Sequence, residues 1–470
     1  MHSGNYGYET FLSPFTWRYA SPDMRSLFSE KQNRLLWRKC WLSLAKAQNK
    51  AGIVSDFELR DIQAHAAGVD IEKSLEIEKE IGHDLMAELK VFSSQCKAGG
   101  GKLHLGATSM DVEDNAEAVR AKRALAIVSK KLKSLLLAFS KKISKYENTP
   151  CMAYTHLQPA EPTTLGYRFA NYAQDLLMDL EQLQSLEKNF KGKGLKGAVG
   201  NAASYKALLE GTKTTPQQLE QSFLNELGLQ AFDATTQTSP RKQDYLLLAA
   251  IAALAQSLHR FAQDVRILQS PAFGEVAEPF GEKQVGSSAM PFKRNPVKCE
   301  KICSLSRFVS TLPKAAWDNA ATTMLERTLD DSANRRLIIP EAFLAIDECL
   351  SIAEKVVSGM QINETQIERN LETYAPFSAT EALLLALAKK GASRQAAHEI
   401  IRENAMAAWS AVREGKKNPL ASLLSKDSRI TRLIPKAEVE KLVSVRTAKA
   451  HTGIAAQKCE DILAQINRAA

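Results

Sequence analysis

Three stretches of this chain carry apolar residues at steps of three and four for about seven helical turns each. Leu125, Val128, Leu132, Leu135, Phe139, Ile143 and Tyr146 mark the first, and Leu165, Phe169, Tyr172, Leu176, Leu180, Leu183, Leu186 and Phe190 the second. Leu247, Ile251, Leu254, Leu258, Phe261, Val265 and Leu268 mark the third, almost as a heptad. That period is an α-helix with one apolar stripe, and about 25 residues make a rod roughly 38 Å long. Such a stripe must be covered along its whole length, so the rods must pack on one another as a bundle. Strand patterns are few, and the predicted fold is all-α. The 470 residues, 44% of them hydrophobic, allow more than one domain. Residues 108–360 form the expected central bundle, with less regular helical caps at 1–107 and 361–470.

The rods are separated by segments rich in Gly, Ser, Thr and Pro. These are AGGGKLHLGATSMDVEDN (98–115), PCMAYTHLQPAEPTT (150–164), KGKGLKGAVGNAAS (191–204), VGSSAMPFKRNPVKCE (285–300) and LERTLDDSANRR (325–336). Each reads as a loop at the end of a long element, and such junctions can converge at one end of a bundle. In the fourth, Pro291 and Pro296 oppose helix, while Asn295–Pro296 reads as an N-cap and first helical position.

Bulk properties exclude several functions. No apolar run of membrane-spanning length is visible, and the N-terminus has no basic-then-apolar secretory pattern. The seven cysteines form no C-x-x-C pair and no cluster with histidine, so a reduced, cytoplasmic, metal-free protein is expected. The net charge of +9 comes from basic residues interleaved with acidic ones, which describes a solvated surface and not a nucleic-acid stripe. A modest positive excess suits a small polyanionic substrate.

The loops carry a resemblance. GSSAMPFKRNP (286–296) resembles the signature loop of the fumarase/aspartase superfamily, whose members eliminate fumarate from succinyl-type substrates. Within it, WRYASPDM (17–24), HLGATSMDVEDN (104–115), YTHLQPAEPTT (154–164), TQTSPRKQD (236–244) and ERTLDDSANRR (326–336) are similar to the adenylosuccinate lyase family, in that family's order. GASRQAAHEIIRE (391–403) extends the similarity more weakly. The resemblance implies a three-domain fold around long helices and a homotetramer whose active sites combine loops from three subunits. It implies no cofactor and no metal. The implied substrates are succinyl purine nucleotides, with fumarate and AMP as products, and neither nucleic acid nor membrane as partner.

Eliminating fumarate means removing a proton beside a carboxylate, stabilising the resulting dianion, and protonating the departing nitrogen. By resemblance Ser287 is the base, and its alkoxide must be stabilised by nearby cations and loop amides. Lys293, six residues on, can stabilise both the alkoxide and the dianion. Asn295 can donate to a carboxylate, and the helix that follows offers N–H groups. The polar loop around Gly286 is expected to close over substrate. His156 matches the family's general acid, beside substrate-binding Thr155, and Glu300 matches the carboxylate placed against it, which would favour imidazolium. Thr108 and Ser109, where a glycine-rich run enters a helix, suit a substrate carboxylate. Gln237 matches a residue contacting the succinyl part. Arg18, Tyr19, Ser332 and Arg336 match a phosphate-binding set, for which arginine's planar fork is well shaped. Arg327, His83 and His104 match further substrate-facing positions. Phe292, Lys301 and Ile454 depart from the family pattern. Two rivals remain: argininosuccinate lyase, whose leaving group has no phosphate, and a non-catalytic helical scaffold, for which Ser287, His156 and Lys293 together would be purposeless.

Overall fold

The computed structural model describes residue 7 and residues 9–469. Six helices come first: α1 (Pro14–Trp17), α2 (Pro22–Leu27), α3 (Glu30–Lys50), α4 (Asp56–His65), α5 (Ile71–Ile81) and α6 (Asp84–Gln95). The predicted rods follow as α7 (Ser109–Tyr146), α8 (Leu165–Asn189) and α11 (Lys242–Gln269), with two short helices, α9 (Ala203–Leu208) and α10 (Pro216–Leu227), before the last. Two further long helices, α12 (Val297–Thr322) and α13 (Asp330–Gly359), complete a set of five. Beyond them lie α14 (Glu364–Ser378) and smaller helices from α15 (Thr380–Lys389) to α21 (Ala455–Ala469). The fold is all-α.

The stripes read from the sequence are the core. Every residue named for α7 and α11 is buried, as are those named for α8 except the half-buried Leu186. Each fully buried large aliphatic or aromatic side chain contributes about 1.5–3 kcal/mol, so each stripe adds substantially to the stability. By length and composition α11 could cross a membrane, contrary to the expectation from the sequence. Its apolar stripe is buried within the protein: Ile251, Leu254, Leu258 and Phe261 are at most 2% exposed.

Contacts divide the chain into two compact units. One comprises Met1–Leu132, Asp179–Leu258 and Ser304–Ser351, the other Lys133–Met178, His259–Cys303 and Ile352–Ala470. The divisions fall inside α7, α8, α11, α12 and α13, so each unit takes a segment of all five long helices. In the second unit an aromatic cluster joins three of them, with ring centroids 5.2 Å apart for Phe139–Phe261 and 5.4 Å for Tyr172–Phe261.

Two interhelical segments differ from the loop reading. Residues 150–164 form an antiparallel hairpin, β1 (Pro150–Thr155) with β2 (Gln158–Thr164), whose register shifts between Met152 and Tyr154. Prolines 159 and 162 in β2 lack N–H donors, which masked the strand in the sequence. The 325–336 segment becomes helical at Asp330, so Ser332 and Arg336 stand on the first turns of α13. The remaining strands are two-residue pairs: β3 (Lys191–Gly192) parallel to β4 (Gln230–Ala231), and β5 (Val276–Ala277) antiparallel to β6 (Gln361–Ile362).

Candidate active site

In the first unit the site residues gather around the start of α7. Thr108 precedes the helix, and its N–H donates to Asp111 Oδ2 at 3.1 Å, a capping arrangement in which the third residue reaches back. The Asp111 carboxylate is buried and also accepts from Lys193 Nζ, from the N–H groups of Lys196 (3.2 Å) and Gly197 (3.1 Å), and from Tyr205 Oη (3.0 Å). One carboxylate thus fastens the 191–204 segment to the α7 entrance. The Thr-x-x-Asp spacing was the readable signal for it. Ser109 Oγ lies 3.3 Å from His83 Nε2. Trp41 Nε1 donates to His104 Nδ1 at 2.9 Å, which requires a lone pair there and leaves the proton on Nε2 of the neutral ring. Burial holds the pKa of His104 below its ordinary value, helped by His83 against the opposing pull of Asp111. A neutral His104 follows.

Arg336 Nη2 donates to Asp84 Oδ2 at 2.6 Å, beside His83. With Arg327 and Ser332 it lines a cavity of about 180 Å³ that also holds Glu113 of α7. Burial and then the charges of Asp84 and Asp114 push the Glu113 carboxyl up to about 7, against Arg336 and Arg327. An ion network sets this wall: Arg327 Nη1 donates to Asp331 (2.9 Å), Arg241 bridges Asp331 (2.6 Å) and Asp114 (2.9 Å), and Arg335 holds Asp244 (2.7 Å). Asp84, Glu113 and the network were not read from the sequence, because most of their partners lie far away along the chain, as Arg336 does from Asp84 and Arg241 from Asp114. Gln237 is half-buried, and its N–H donates to the Glu326 carbonyl at 3.1 Å, next to Arg327. Arg18 and Tyr19 stand outside the cavity lining. The exposed Arg18 packs 4.4 Å over the Trp17 ring, and the next peptides are held by acidic residues of α13, Ala20 N–H by Glu348 (3.0 Å) and Ser21 N–H by Asp347 (2.6 Å).

The second unit holds the residues matched to proton transfer. His156 and Leu157 form the two-residue turn of the β1–β2 hairpin, with φ of 55° and 59°. Positive φ at both positions defines the mirror-image hairpin turn, which normally recruits Asn or Gly. His156 is exposed and, among the described residues, has no hydrogen-bond partner in its own chain. Thr155 is also exposed.

The 285–296 segment folds back on itself. Ser287 Oγ accepts from the N–H groups of Met290 (3.1 Å) and Ala289 (3.4 Å). Gly286 is obligatory: a Cβ there would sit 2.1 Å from the Lys293 carbonyl. Asn295 Nδ2 donates one bond to the Gly286 carbonyl at 2.9 Å, leaving its second N–H. The Lys293 ammonium is exposed and has no carboxylate partner among the described residues. The helix begins at Val297, one residue later than the Asn-Pro reading. Its entrance is not open to a ligand as the sequence suggested, because buried Glu278 accepts from the N–H groups of Lys298 (3.0 Å) and Cys299 (3.0 Å). Glu300 is exposed on the first turn of α12 and makes no ion pair with His156 among the described residues.

Among the described residues, six non-glycine residues have positive φ: Ala20, His104, His156, Leu157, Ala202 and Leu325. Ala20 falls in the 17–24 motif and the other five in the loops singled out from the sequence. Such strain costs about 1–3 kcal/mol per residue and persists where the surroundings over-determine it, commonly at functional sites.

A family profile described as lyase matches residues 22–310, and one described as adenylosuccinate lyase C-terminus matches residues 376–460. The adenylosuccinate lyase of Schistosoma mansoni is 37% identical over 425 residues, covering 89% of this chain and 88% of that protein. That of Saccharomyces cerevisiae is 37% identical over 426 residues with the same coverage, and that of Pyrococcus abyssi 38% over 406, covering 86% and 88%. Among solved structures, a fumarate lyase from Mesorhizobium sp. BNC1 superposes with a TM-score of 0.82 at 24% identity, covering 95% of this chain and 98% of that one. A 3-carboxy-cis,cis-muconate lactonizing enzyme from Pseudomonas putida gives 0.84 at 23%, covering 97% and 99%. At those identities the structures establish the fold.

Proposed function

The chain belongs to the adenylosuccinate lyase family and is a lyase, and from that premise we propose that it eliminates fumarate from adenylosuccinate, giving AMP, and from the succinyl-carboxamide imidazole ribotide. The observation that carries this reading is the 37% identity to curated adenylosuccinate lyases across 89% of the chain.

In the proposed mechanism Ser287 Oγ, as alkoxide, removes the proton from the carbon beside a succinyl carboxylate. The two loop amides on Oγ and the Lys293 ammonium favour that alkoxide. The electron pair left on carbon spreads into the carboxylate, and Lys293 with the free Asn295 N–H stabilises the dianion. Collapse forms the carbon–carbon double bond and breaks the carbon–nitrogen bond, while His156 delivers its proton to nitrogen. That step contributes about 10²–10⁴ in rate. Thr108, Ser109 and Gln237 bind the succinyl part, and Arg327, Ser332 and Arg336 take the phosphate together with Arg18 and Tyr19. His83, His104 and Thr155 contact the remainder, and the 285–296 loop closes over the substrate.

Sites shared in a homotetramer would supply what the described residues of one chain lack: the exposed His156 has no carboxylate partner among them, and Glu300 of another subunit would complete it. The five long helices still expose Leu137, Met178, Leu246, Trp317 and Leu337 at 41–63%, apolar surface suited to other copies. Seven buried cysteines, none in a disulfide, fit a reducing cytoplasm. Fumarate release should be assayed with adenylosuccinate, the succinyl imidazole ribotide and argininosuccinate. Release from the first two is expected, and release from argininosuccinate alone overturns the reading.

A further inference from the structure

The His156 turn poses a physical question: what keeps two L-residues in the left-handed region when, among the described residues, no hydrogen bond or ion pair holds the imidazole itself? The space behind the turn is not filled. A cavity of about 280 Å³, lined by Tyr154, Leu157, Tyr167, Arg168 and Phe273 among others, opens directly behind the hairpin. A turn backed by empty space can relax into it.

The restraint lies two residues back along β1. Tyr154 Oη donates to Glu275 Oε1 at 3.0 Å. Glu275 is fully buried, its Oε2 accepts from Arg168 Nη1 at 2.8 Å, and its Oε1 also accepts from Asn370 Nδ2 at 2.9 Å. Arg168 Nη2 donates in addition to the Met152 carbonyl of the same strand. Asn370 Nδ2 reaches the Phe273 carbonyl at 3.1 Å, and the Phe273 ring meets Tyr154 edge-on at 4.8 Å. One carboxylate therefore ties β1, α8, the 270–276 segment and α14 together beneath the turn. Burial, reinforced by Glu275, pushes the Tyr154 phenol above its ordinary pKa, so it remains a donor across the working range.

We propose that Glu275, acting through Tyr154, is a positioning residue for His156: the buried clamp holds the strand that carries the strained turn, and so aims the imidazole. The inference rests on His156 as the proton donor and adds the group that places it. A donor misplaced by 1 Å can cost about 10²-fold in rate, so the clamp acts on turnover more than on binding.

The test is a double-mutant cycle on the full-length protein with adenylosuccinate. Tyr154→Phe keeps the ring in place and deletes only the hydroxyl. It should lower kcat about tenfold or more with KM little changed. In a His156→Ala background the same change should cost nothing further, because the clamp has no imidazole left to aim. Glu275→Gln should follow Tyr154→Phe, with circular dichroism and melting temperature checking that it folds; if it does not, the tyrosine cycle decides alone. An unchanged kcat for Tyr154→Phe beside a crippled His156→Ala overturns the clamp and spares the acid assignment. Equal losses in both backgrounds show a merely structural tyrosine and overturn it as well. Full turnover by His156→Ala removes the acid assignment itself, and the proposal with it.

Discussion

At Gly286 a single hydrogen decides whether the 285–296 segment can fold back on itself, since any side chain would begin 2.1 Å from the Lys293 carbonyl. Gly286→Ala should therefore lower kcat by about tenfold or more while moving the melting temperature little, because the loop is largely exposed. Activity assays beside a thermal melt check this. Glu113 makes the second residue-level prediction. Its carboxyl is raised from an ordinary 4.5 to about 7 by burial, Asp84 and Asp114, so the folded state holds a proton that the unfolded state releases. The stability linked to this group is complete below about pH 4.5 and is lost as pH rises towards 7. Glu113→Gln removes that loss. The variant should overtake wild type by about 1–3 kcal/mol in denaturant unfolding at pH 8, with the gap shrinking towards pH 5. The sequence shows Glu113 as one acidic residue among many; only the fold sets Asp84, from a different helix, beside it.

Among the elements, the β1–β2 hairpin departs most from expectation. Its residues were singled out by their motif, since YTHLQPAEPTT carries the histidine, but were not legible as strands. Two prolines hide the pairing, and a His-Leu turn lacks the Asn or Gly that announces such a hairpin. Leu157→Gly should relieve left-handed strain of about 1–2 kcal/mol, partly offset by about 0.4–1 kcal/mol of unfolded-chain entropy. The variant should thus melt no lower than wild type, yet turn over more slowly because the imidazole is less restrained. A lower melting temperature would show that the turn carries no net strain. The long helices show the opposite case. Their stripes are local patterns with one physical solution, and the residues named from periodicity, Leu186 apart, are found in the core.

For the whole molecule, unpartnered groups point to assembly. Among the described residues His156 has no carboxylate partner and Lys293 no anionic one, while the long helices still present apolar side chains. Light scattering should give a mass about four times 51.8 kDa. Inactive His156→Ala and Ser287→Ala proteins, unfolded and refolded together, should regain a fraction of wild-type activity, because some sites then draw both intact residues from different chains. A monomer, or no recovery at any mixing ratio, would place the complete site in one chain.

Sequence alone determined the helical class, the rods and their core faces, and the order of the loops that carry the family motifs, because periodicity and motif spacing are properties of neighbours along the chain. Tertiary structure decided what those loops are held by. Glu275 meets Tyr154 across 121 positions, Arg241 joins Asp114 across 127, and Glu278 caps α12 from 20 residues upstream. A buried charge is tolerable only beside its partner, and no local pattern shows which distant residue that partner will be.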